Sequence, residues 1–531
     1  GERNMKSTSL PALRKTPGCS LLELLRKAEG GELASSLRAH GMGETDTQAK
    51  AKLFVTAVQT LLRACTGRSL CGKRSLEEST PAHVTAAESP PALINSKLAL
   101  AFWVPGRIEV LGKHTDYAGG RSLLCAATKG FAAVVVPRED DECNIHASFA
   151  GGAIPPAALL RVTSNVEAPP DAPWAVYPAA AVRRLVTNFG ISKGVDLAFA
   201  CDLPEASGMS SSSAVVCLSF LALAASNDLD QHALFESELS TAAQLCHFLG
   251  CIENGQDCGP ALRGEKGVGT FGGSEDHTAI MCCDAARMHM FSFCPTRLEA
   301  SFALAPSLRF VIAVSGATAQ KSVERRDDYN NAAMLARFAA ERVAAAIDGD
   351  ESCSSHVAGG GGVTLAAVVQ RVAAQLNTTT RSDAVRHAMV QHLRAQAPVD
   401  GDAHMDTALE ARFEQFFFES ERIVPGVATA LDAGDLEKVA ELVDLSQRLT
   451  QTNLKNTVPE TEWLPRAARD LGAVAASAFG AGFGGSCWAL TTAEAAPELR
   501  ERWAAAYLEQ FPERQKARFF TMVPAPGAIR L

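Results

Sequence analysis

Residues 104–120 read Val-Pro-Gly-Arg-Ile-Glu-Val-Leu-Gly-Lys-His-Thr-Asp-Tyr-Ala-Gly-Gly. Arg107, Lys113, His114 and Asp116 lie within ten residues of one another, between two apolar, strand-like runs. Asp and His side chains exchange hydrogen bonds with neighbouring hydroxyl groups, and a buried site of this kind rejects ligands that leave them unpaired. The segment is therefore a candidate polyol site. Its composition alone is equally consistent with a loop whose charges face water.

A second candidate site is the serine-rich stretch Pro204-Glu-Ala-Ser-Gly-Met-Ser-Ser-Ser-Ser-Ala214, which follows a strand-like run and opens an apolar helix. Small residues let the backbone approach a ligand closely. Ser residues at a helix start lie beside unpaired N–H groups and the positive end of the helix dipole, where phosphate binds readily. An ordinary helix cap needs only one Ser. We therefore predict an ATP phosphate site formed by Gly208, Ser210, Ser211, Ser212 and Ser213.

Other nucleotide motifs are missing or out of context. The chain has no G-x-x-x-x-G-K-[ST] sequence, which excludes a P-loop enzyme. Two G-x-G-x-x-G matches occur, at Gly267–Gly272 and Gly480–Gly485. Acidic residues rather than a helix follow the first match, and the second leads into a strand-like run. Because neither has the βαβ context of a dinucleotide site, we predict none.

The composition is that of a globular protein with a large core. Of 531 residues, 47% are hydrophobic and 21% charged. A net charge of −9 argues against nucleic acid as the main partner. No apolar run reaches the roughly 18 residues of a membrane span, and no secretory signal is visible. We expect no membrane partner and a cytoplasmic location. The oligomeric state is not readable, and a monomer is consistent with the sequence.

The cysteine pattern favours reduced thiols in a cytosolic enzyme. The 15 cysteines are odd in number, and several, such as Cys125 and Cys217, lie in apolar runs. Cys251 and Cys258, with His247 nearby, match no standard zinc spacing. This spacing argues against a metal cluster at these residues.

The chain divides into three parts. Residues 1–92 form a peripheral extension with helical patterns near Leu21–Leu37 and Ala49–Leu62, followed by a Ser/Pro/Ala-rich linker. Residues 93–298 and 299–531 are two mixed helix-and-strand regions. Near 350–400 we predict an insertion, with a flexible Ser352–Gly362 segment that contains four consecutive glycines.

Hydrophobic periodicity predicts the elements of the two mixed regions. The predicted strands are Leu98–Trp103, Phe131–Pro137, Val195–Cys201, Arg309–Ser315 and Ser486–Thr492. The predicted helices are Ala175–Asn188, Ser211–Ala225, Leu234–Leu249 and Asn330–Ile347.

Three segments together resemble one family. Residues 104–120 resemble the galactokinase signature, in which Pro-Gly-Arg precedes Gly-Glu-His-Thr-Asp-Tyr by a few apolar residues. The serine-rich stretch resembles the second motif of the GHMP kinase superfamily, and Gly480–Gly485 resembles the third. The motifs occur in the family's order, and the resemblance covers the chain from about residue 95 to the C-terminus, except the insertion.

The resemblance implies a fold and an activity. The fold is a two-lobed α+β GHMP kinase fold with the active site in the interlobe cleft, to which residues 1–92 add helices. The activity is that of an ATP-dependent phosphotransferase with an alcohol group as acceptor. It would phosphorylate the anomeric C1 hydroxyl of galactose or a related monosaccharide, with Mg²⁺ as cofactor, in carbohydrate metabolism.

The resemblance also implies residue roles. In Gly272-Gly-Ser-Glu-Asp-His277, Asp276 matches the family's catalytic Asp, which contacts the sugar, and Arg107 is its partner. The adjacent Glu275 is a second carboxyl residue that could be mistaken for the catalytic one. A neighbouring cation favours an ionised carboxylate and stabilises charge on a phosphoryl group.

Further roles concern the metal ion and the sugar. Ser212, or alternatively Ser211, and Glu253 match the family's magnesium ligands. Tyr329, in Asp-Asp-Tyr-Asn, resembles a sugar-contacting tyrosine, although a surface tyrosine at a helix start is the alternative. The implied substrate-binding residues are Arg107, Lys113, His114, Asp116, Asp276 and Tyr329.

Three positions depart from the family pattern. Lys113 replaces a Glu that resembles a ligand of the sugar's primary hydroxyl, which suggests a uronic acid such as galacturonate, with Lys113 reading the carboxylate. The alternative is a neutral sugar, with Lys113 turned to a neighbouring carboxylate. His277 replaces a Gln, and Ala206 replaces a usual Gly. The change at 206 raises a rival of another class, a non-catalytic protein that senses sugar and ATP. A kinase for a non-sugar alcohol is disfavoured by the His-Thr-Asp-Tyr segment.

Overall fold

A computed structural model describes residues 6–71, 98–149, 154–205, 207–317, 323–348, 362–395 and 403–531. Within these ranges, every helix is too short or too polar to span a lipid bilayer. The molecule contains two β-sheets with helices packed around them, which confirms the predicted α+β class.

The strands of the described residues are numbered in chain order. They are β1 Leu100–Leu111, β2 Arg121–Pro137, β3 Glu142–Phe149, β4 Ala158–Arg161, β5 Val195–Cys201, β6 Arg287–Ser292, β7 Arg297–Ala303, β8 Leu308–Val314, β9 Ala475–Phe479, β10 Ser486–Thr492, β11 Arg518–Met522 and β12 Ile529–Arg530.

The helices are numbered likewise. They are α1 Leu21–Glu29, α2 Glu32–Ala39, α3 Glu44–Cys71, α4 Val176–Phe189, α5 Ser211–Ser226, α6 Ala233–Glu238, α7 Ala242–Asn254, α8 Glu275–Cys282, α9 Val323–Asp348, α10 Leu365–Gln375, α11 Asp383–Ala395, α12 Ala403–Phe416, α13 Val424–Ala433, α14 Leu436–Leu449, α15 Pro459–Asp470 and α16 Ala496–Gln510. Two π-helical segments are Phe417–Ile423 and Thr450–Leu454. Short 3₁₀ turns are Ser7–Ser9, Asp116–Ala118, Pro173–Ala175 and Leu229–Gln231.

The larger sheet has the order β12-β1-β2-β5-β3-β4, and β6 and β7 extend it from β2. Every residue of β1 is buried. Successive side chains of a strand point to opposite faces, so a fully buried strand needs cover on both faces. On one face, Phe102 and Val104 join a core with α4, α5 and α7. On the other face, Ala101 and Trp103 join a separate core.

Helices α1–α3 supply that second core. Leu37, Phe54 and Val58 pack with Trp103 and Val134 of the sheet. The extension, expected to add helices to the outside, packs on one face of the larger sheet at β1, β2 and β5. The predicted helix over Leu21–Leu37 is broken in two at Gly31, which adopts a left-handed conformation. The linker that follows lies mostly outside the described residues.

The smaller sheet, β11-β8-β10-β9, is antiparallel throughout. One face packs on α15 and α16 through Trp503 and Tyr507. The other face, with Phe310 and Trp488, joins the core of the larger sheet. The indole N–H of Trp488 donates a hydrogen bond to the Val110 carbonyl at 3.0 Å, which ties the two sheets together beside the first motif.

Helices α9 to α12 form a further layer, whose core includes Ala118 from the loop after β1. Helices α10 and α11 lie in the region predicted as an insertion. The predicted flexible segment lies outside the described residues, apart from Gly362. The predicted helix over Leu234–Leu249 is two helices, because Thr241 starts α7 with a capping box to Gln244.

The structure moves the boundary between the two regions. The predicted boundary at 298/299 falls inside β7, which pairs with β6 in the larger sheet. At the other end of the chain, β12 pairs with β1 through Phe102 and Arg530. The smaller sheet therefore begins after β7, and the C-terminal residues return to the larger sheet.

Candidate active site

Arg107 joins three segments that are far apart in sequence. It lies on β1, and its Nε donates to Asp276 Oδ1 at 2.6 Å. Its Nη1 donates to the Gly208 carbonyl at 2.5 Å, and its backbone N–H donates to the Met209 carbonyl at 3.2 Å. The first motif, the serine-rich loop and α8 therefore meet at one guanidinium.

The charge of Arg107 is compensated by carboxyl groups. Burial opposes the charged form, but Asp276, Glu109 and Glu275 raise the pKa of the guanidinium above its usual value. The Asp276 side chain is 29% exposed, whereas that of Arg107 is 5% exposed. The Arg107 side of the ion pair is therefore shielded from solvent, whereas the Asp276 carboxylate is accessible to a ligand.

The serine-rich loop also contacts Asp276. Ser210, in a left-handed conformation with φ of 57°, donates its hydroxyl to Asp276 Oδ2, and the Ser213 hydroxyl lies 3.3 Å from the same oxygen. Ser210 makes no side-chain capping bond to α5, so the start of that helix carries no such cap. Ser211 is exposed and Ser212 half-buried. The N-terminus of α5 therefore faces the catalytic candidate with hydroxyl groups still accessible.

Glu253 lies beside this loop at the end of α7. Its Oε2 accepts a hydrogen bond from the Ser213 hydroxyl at 2.7 Å, and His277 Nε2 lies 3.2 Å from the same oxygen. Ser213, one residue beyond the predicted Ser212, thus contacts Glu253. Hydroxyl and carboxylate oxygens are the hard donors that Mg²⁺ prefers, so this donor set fits that ion.

His114 is held in a neutral, oriented state. It adopts φ of 57°, its Nδ1 lies 2.9 Å from the Tyr117 hydroxyl, and its Nε2 lies 3.2 Å from Asn456 Nδ2. Burial and the nearby Arg412 lower its pKa to about 4. The Tyr329 ring lies 5.2 Å from the imidazole, centroid to centroid, so these two predicted sugar contacts are neighbours.

Asp116 and Tyr329 border the glycine turn before α8. Asp116 Oδ2 accepts a hydrogen bond from the Glu275 backbone N–H at 3.2 Å, and burial raises the pKa of Asp116. A β-carbon on Gly273 would lie 2.4 Å from Asp116 Oδ2, and one on Gly272 would lie 3.0 Å from the Tyr329 hydroxyl. Only glycine therefore lets the turn approach both side chains this closely.

Lys113 points away from Asp276 and into the other lobe. Its Nζ donates to Ser477 Oγ of β9 at 2.6 Å and to Ser446 Oγ of α14 at 3.2 Å. The side chain is buried, and burial lowers its pKa. No carboxylate of the described residues lies within ion-pair distance of this ammonium group. The alternative that Lys113 turns to a neighbouring carboxylate is therefore not the arrangement observed.

The third motif packs against the serine-rich loop. The Ser486 hydroxyl donates to the Ser207 carbonyl at 2.6 Å. A β-carbon on Gly480, whose φ is +85°, would lie 2.7 Å from the Gly208 carbonyl oxygen. The glycine-rich turn therefore supports the loop from the side of the smaller sheet.

Several residues around the site were not anticipated from the sequence. Glu109 is buried beside Arg107, and burial raises its pKa to about 8, although Arg107 and Lys113 oppose the shift. Glu419 Oε1 accepts a hydrogen bond from the Gly112 N–H at 2.8 Å, and Arg412 Nη2 donates to the His114 carbonyl. The polar alternation along β1 was a signal for Glu109. No local signal pointed to the other two, which lie about 300 residues away in sequence.

Comparison with known families agrees with this geometry. The galactokinase galactose-binding signature matches residues 94–137. The N-terminal domain of GHMP kinases matches residues 176–265, and the C-terminal domain of GHMP kinases matches residues 427–509. The three matches occur in the same order as the motifs.

Individual relatives are similar over part of their length. The galactokinase of Lactobacillus helveticus is 29% identical over 181 residues, which are 34% of this chain and 46% of that protein. The galactokinase of Bacillus subtilis (strain 168) is 26% identical over 185 residues, 34% of this chain and 44% of that protein. The chain thus spans less than half the length of these curated relatives.

A solved structure extends the similarity to most of the fold. The crystal structure of Lactococcus lactis galactokinase complexed with galactose superposes with a TM-score of 0.59 at 20% sequence identity, covering 82% of this chain and 95% of that one. The chain therefore carries matches to both GHMP kinase domains and to the galactokinase galactose-binding signature, and its fold is similar to that of a solved galactokinase.

Proposed function

We propose that this protein is an ATP-dependent sugar kinase that phosphorylates the anomeric C1 hydroxyl of galactose or a related monosaccharide, with Asp276 as the base and Arg107 as its partner. The observation that carries the proposal is the position of Asp276. Its carboxylate contacts the Arg107 guanidinium on one side and the serine-rich loop on the other. A sugar hydroxyl at this carboxylate would lie beside the N-terminus of α5.

The proposed reaction is a direct phosphoryl transfer. The sugar C1 oxygen forms a bond to the γ-phosphorus of ATP, the bond to the β,γ-bridging oxygen breaks, and ADP leaves. Asp276 takes the proton of the sugar hydroxyl. Arg107, which is held on the Gly208 carbonyl and on Asp276, places its positive charge where negative charge develops on the phosphoryl group. Positioning and charge stabilisation supply most of the rate in such reactions.

The ATP phosphates are assigned to the serine-rich loop. Backbone N–H groups at the start of α5, with Gly208 and the hydroxyls of Ser210 to Ser213, form an anion site at the positive end of the helix dipole. Glu253 and the hydroxyls of Ser212 and Ser213 would hold Mg²⁺, which neutralises phosphate charge when bound. Glu253 orients the Ser213 hydroxyl in the free protein.

The sugar is assigned to the opposite side of Asp276. His114, Asp116 and Tyr329 lie around the Gly272-Gly273 turn, whose glycines let the backbone come close to Asp116 and Tyr329. Because burial and Arg412 hold His114 neutral, one ring nitrogen can donate a hydrogen bond while the other accepts one. A buried polar set of this kind selects for a matching pattern of hydroxyl groups.

The direct test is ADP release by the purified protein with magnesium-ATP and a panel of galactose, arabinose, glucose, galacturonate and glucuronate. Turnover on one neutral sugar that disappears in Asp276→Asn supports the proposal. Glu275→Gln is a matched control, because burial raises the pKa of Glu275 and Gln mimics the protonated acid. Turnover that survives Asp276→Asn but not Glu275→Gln would transfer the catalytic role to Glu275.

A second candidate, a uronic acid 1-kinase of the galacturonate type, is favoured by one observation. The Lys113 ammonium group is buried and bonds to neutral hydroxyls, and among the described residues Glu419 and Glu109 act on it only from beyond ion-pair distance. A buried cation whose hydrogen-bond partners are neutral favours an anionic ligand. In this candidate, Lys113 reads the sugar carboxylate, and the base and its partner are unchanged.

The two candidates differ in what Lys113→Glu does. For a uronate kinase, the substitution abolishes turnover on galacturonate and gives turnover on galactose. For a galactose kinase, the variant still has a higher kcat/KM on galactose than on galacturonate, as wild type does. Binding of ATP with no turnover on any sugar of the panel would instead favour the non-catalytic sensor.

A further inference from the structure

Three soft ligand side chains converge at the end of α7, outside the proposed reaction site. His247 and Cys251 are one helical turn apart on α7 and share a face, and Cys258 follows in the next loop. Their ligand atoms lie within 4.8 Å of one another. Cys251 Sγ and His247 Nε2 are 3.8 Å apart. The sequence spacing argued against a metal cluster here, but the fold brings the three atoms together.

The distances fit a tetrahedral ion. With zinc–sulfur bonds of about 2.3 Å and zinc–nitrogen bonds of about 2.0 Å, the sulfur–nitrogen edge of a tetrahedron is about 3.5 Å and the sulfur–sulfur edge about 3.8 Å. The Cys251 Sγ to His247 Nε2 separation of 3.8 Å is close to the sulfur–nitrogen edge, and all three ligand atoms lie within 4.8 Å of one another, so side-chain rotations can close the site. Thiolate and imidazole ligands together suit zinc rather than Mg²⁺ or Ca²⁺.

A buried cation beside the cluster supports the presence of thiolates. Arg184 is fully buried on α4, and its Nη2 donates to the Leu262 carbonyl at 3.3 Å. Its Nε and Nη1 have no hydrogen-bond partner among the described residues. Cys251 and Cys258 are the first two groups whose negative charge would stabilise this guanidinium. Arg184 is thus a buried cation beside the two cysteine sulfurs, where it favours their thiolate form, the form that binds a metal.

We propose that His247, Cys251 and Cys258 bind one Zn²⁺ ion, with the fourth position open to water. Binding replaces the thiol protons by zinc–sulfur bonds and releases those protons to solvent. His247 is half-buried and Cys258 is 8% exposed, so an ion can reach the cluster from solvent. The proposal does not depend on the kinase activity, and its failure would leave the proposed function standing.

The ion would connect α7 to the loop that precedes α8. Cys258 N–H donates to the Leu262 carbonyl at 2.8 Å, and the Glu265 N–H donates to the Gly255 carbonyl at 3.0 Å, so the loop is folded back on the helix end. Glu253 lies between the two cysteines in sequence. Zinc would therefore act as a positioning element that holds the last turn of α7, and with it the Glu253 carboxylate.

The test is the metal content and cobalt spectrum of the whole protein, purified and kept under a thiol reductant that does not chelate metals. We expect about one zinc per chain after loading and removal of free metal. With Co²⁺ as the probe, we expect the visible absorption of a tetrahedral thiolate complex. Both signals should fall to background in Cys258→Ser and in His247→Gln.

A matched control uses the other close pair of thiols. Cys246 Sγ and Cys282 Sγ are 3.4 Å apart, but among the described residues no histidine or carboxylate completes a metal group with them. Cys246→Ser should keep both the zinc and the cobalt signal. If Cys258→Ser fails to fold, protection of wild-type thiols from a thiol reagent by added zinc, reversed by a chelator, tests the same site.

Three results would overturn the proposal. The first is reduced wild-type protein that binds no zinc or cobalt at protein-equivalent concentration. The second is a metal signal that persists in Cys258→Ser and His247→Gln, which would locate the ion elsewhere. The third is a Cys251–Cys258 disulfide as the stable form under that reductant, which would make the pair a redox group.

Discussion

Two buried cations of the first motif, Arg107 and Lys113, lie six residues apart and have opposite surroundings. Arg107 forms an ion pair with Asp276 and a hydrogen bond to the Gly208 carbonyl. Lys113 is surrounded by the hydroxyls of Ser446 and Ser477. The protein itself supplies the partners of Arg107, so this cation is held in place and can position a reacting group. The second cation has only neutral hydroxyls within hydrogen-bond distance, and burial lowers its pKa although Glu419 and Glu109 oppose the shift.

The largest expected effect is on the Arg107 side. Asp276→Asn should lower kcat by about 10²- to 10⁴-fold, because the amide cannot take the proton of the sugar hydroxyl. The KM for ATP should change little. Steady-state ADP release measures both constants, with Glu275→Gln as the control that keeps turnover. Equal kcat values for Asp276→Asn and wild type would mean that Asp276 is not the base. The ion pair with Arg107 would then have no role in catalysis, and the two cations would no longer differ in function.

The contrast itself is tested by replacing each cation with Met. Arg107→Met leaves Asp276 without its ion-pair partner and should lower the free energy of unfolding by about 3 kcal/mol. Lys113→Met removes a buried charge whose hydrogen-bond partners are neutral hydroxyls. It should leave stability unchanged or raise it by about 1 kcal/mol. Urea denaturation measures both values.

Similar losses for the two Met variants would mean that Lys113 is also compensated. If Lys113→Met lowers the free energy of unfolding by more than the cost of leaving one buried hydroxyl without a partner, an anion is bound at Lys113 in the protein as purified. In that case, adding galacturonate should stabilise wild type and not Lys113→Met.

A smaller effect is expected where the third motif supports the Arg107 side. Gly480→Ala adds a β-carbon 2.7 Å from the Gly208 carbonyl oxygen, which also accepts a hydrogen bond from Arg107. We expect a loss of about 1–3 kcal/mol in stability and a higher KM for ATP. Gly472→Ala is the matched control, because its φ is +97° but nothing lies within 4 Å of the added carbon.

Gly472→Ala should therefore cost stability through backbone strain alone and leave the KM for ATP unchanged. Equal KM values for ATP in the two variants would contradict direct support of the serine-rich loop by the glycine-rich turn. Differential scanning calorimetry measures the loss of stability, and activity at varied ATP concentration measures the KM for ATP.

The last expected effect, a dependence on pH, concerns Glu109, which lies between the two cations in sequence. Burial raises its pKa to about 8 from an ordinary 4.5, so the folded protein keeps a proton that the unfolded chain loses between these values. Its contribution to stability is present below about pH 4.5 and is lost as pH rises towards 8. Glu109→Gln should flatten this part of the stability profile.

Tm measured across this pH range checks whether stability falls as pH rises. Glu139→Gln is the surface control, because the Glu139 side chain is 86% exposed, and it should keep the wild-type slope. His114 acts in the opposite direction: with a pKa lowered to about 4, it makes the fold less stable as pH falls from 6.5. An unchanged slope in Glu109→Gln would mean that Glu109 is ionised beside Arg107.

Much of the architecture was readable because it depends on local pattern. The strands Val195–Cys201 and Ser486–Thr492 have the predicted bounds, since their apolar runs end at polar or glycine residues. Helix α5 begins at the predicted Ser211, where the apolar run follows the serine-rich loop. The role of α1–α3 was not readable, because nothing local indicates which face of a distant sheet an amphipathic helix covers.

The sequence by itself determined the family resemblance, the two mixed regions and the candidates Arg107, Asp276 and the serine-rich loop, since each is a short motif with its chemistry in contiguous residues. Only the tertiary structure decided which partner each side chain has. It paired Lys113 with Ser477, placed Ser213 on Glu253, and brought His247 close to Cys258. Such contacts depend on how helices and strands from distant parts of the chain pack, and a pattern of neighbouring residues does not carry that information.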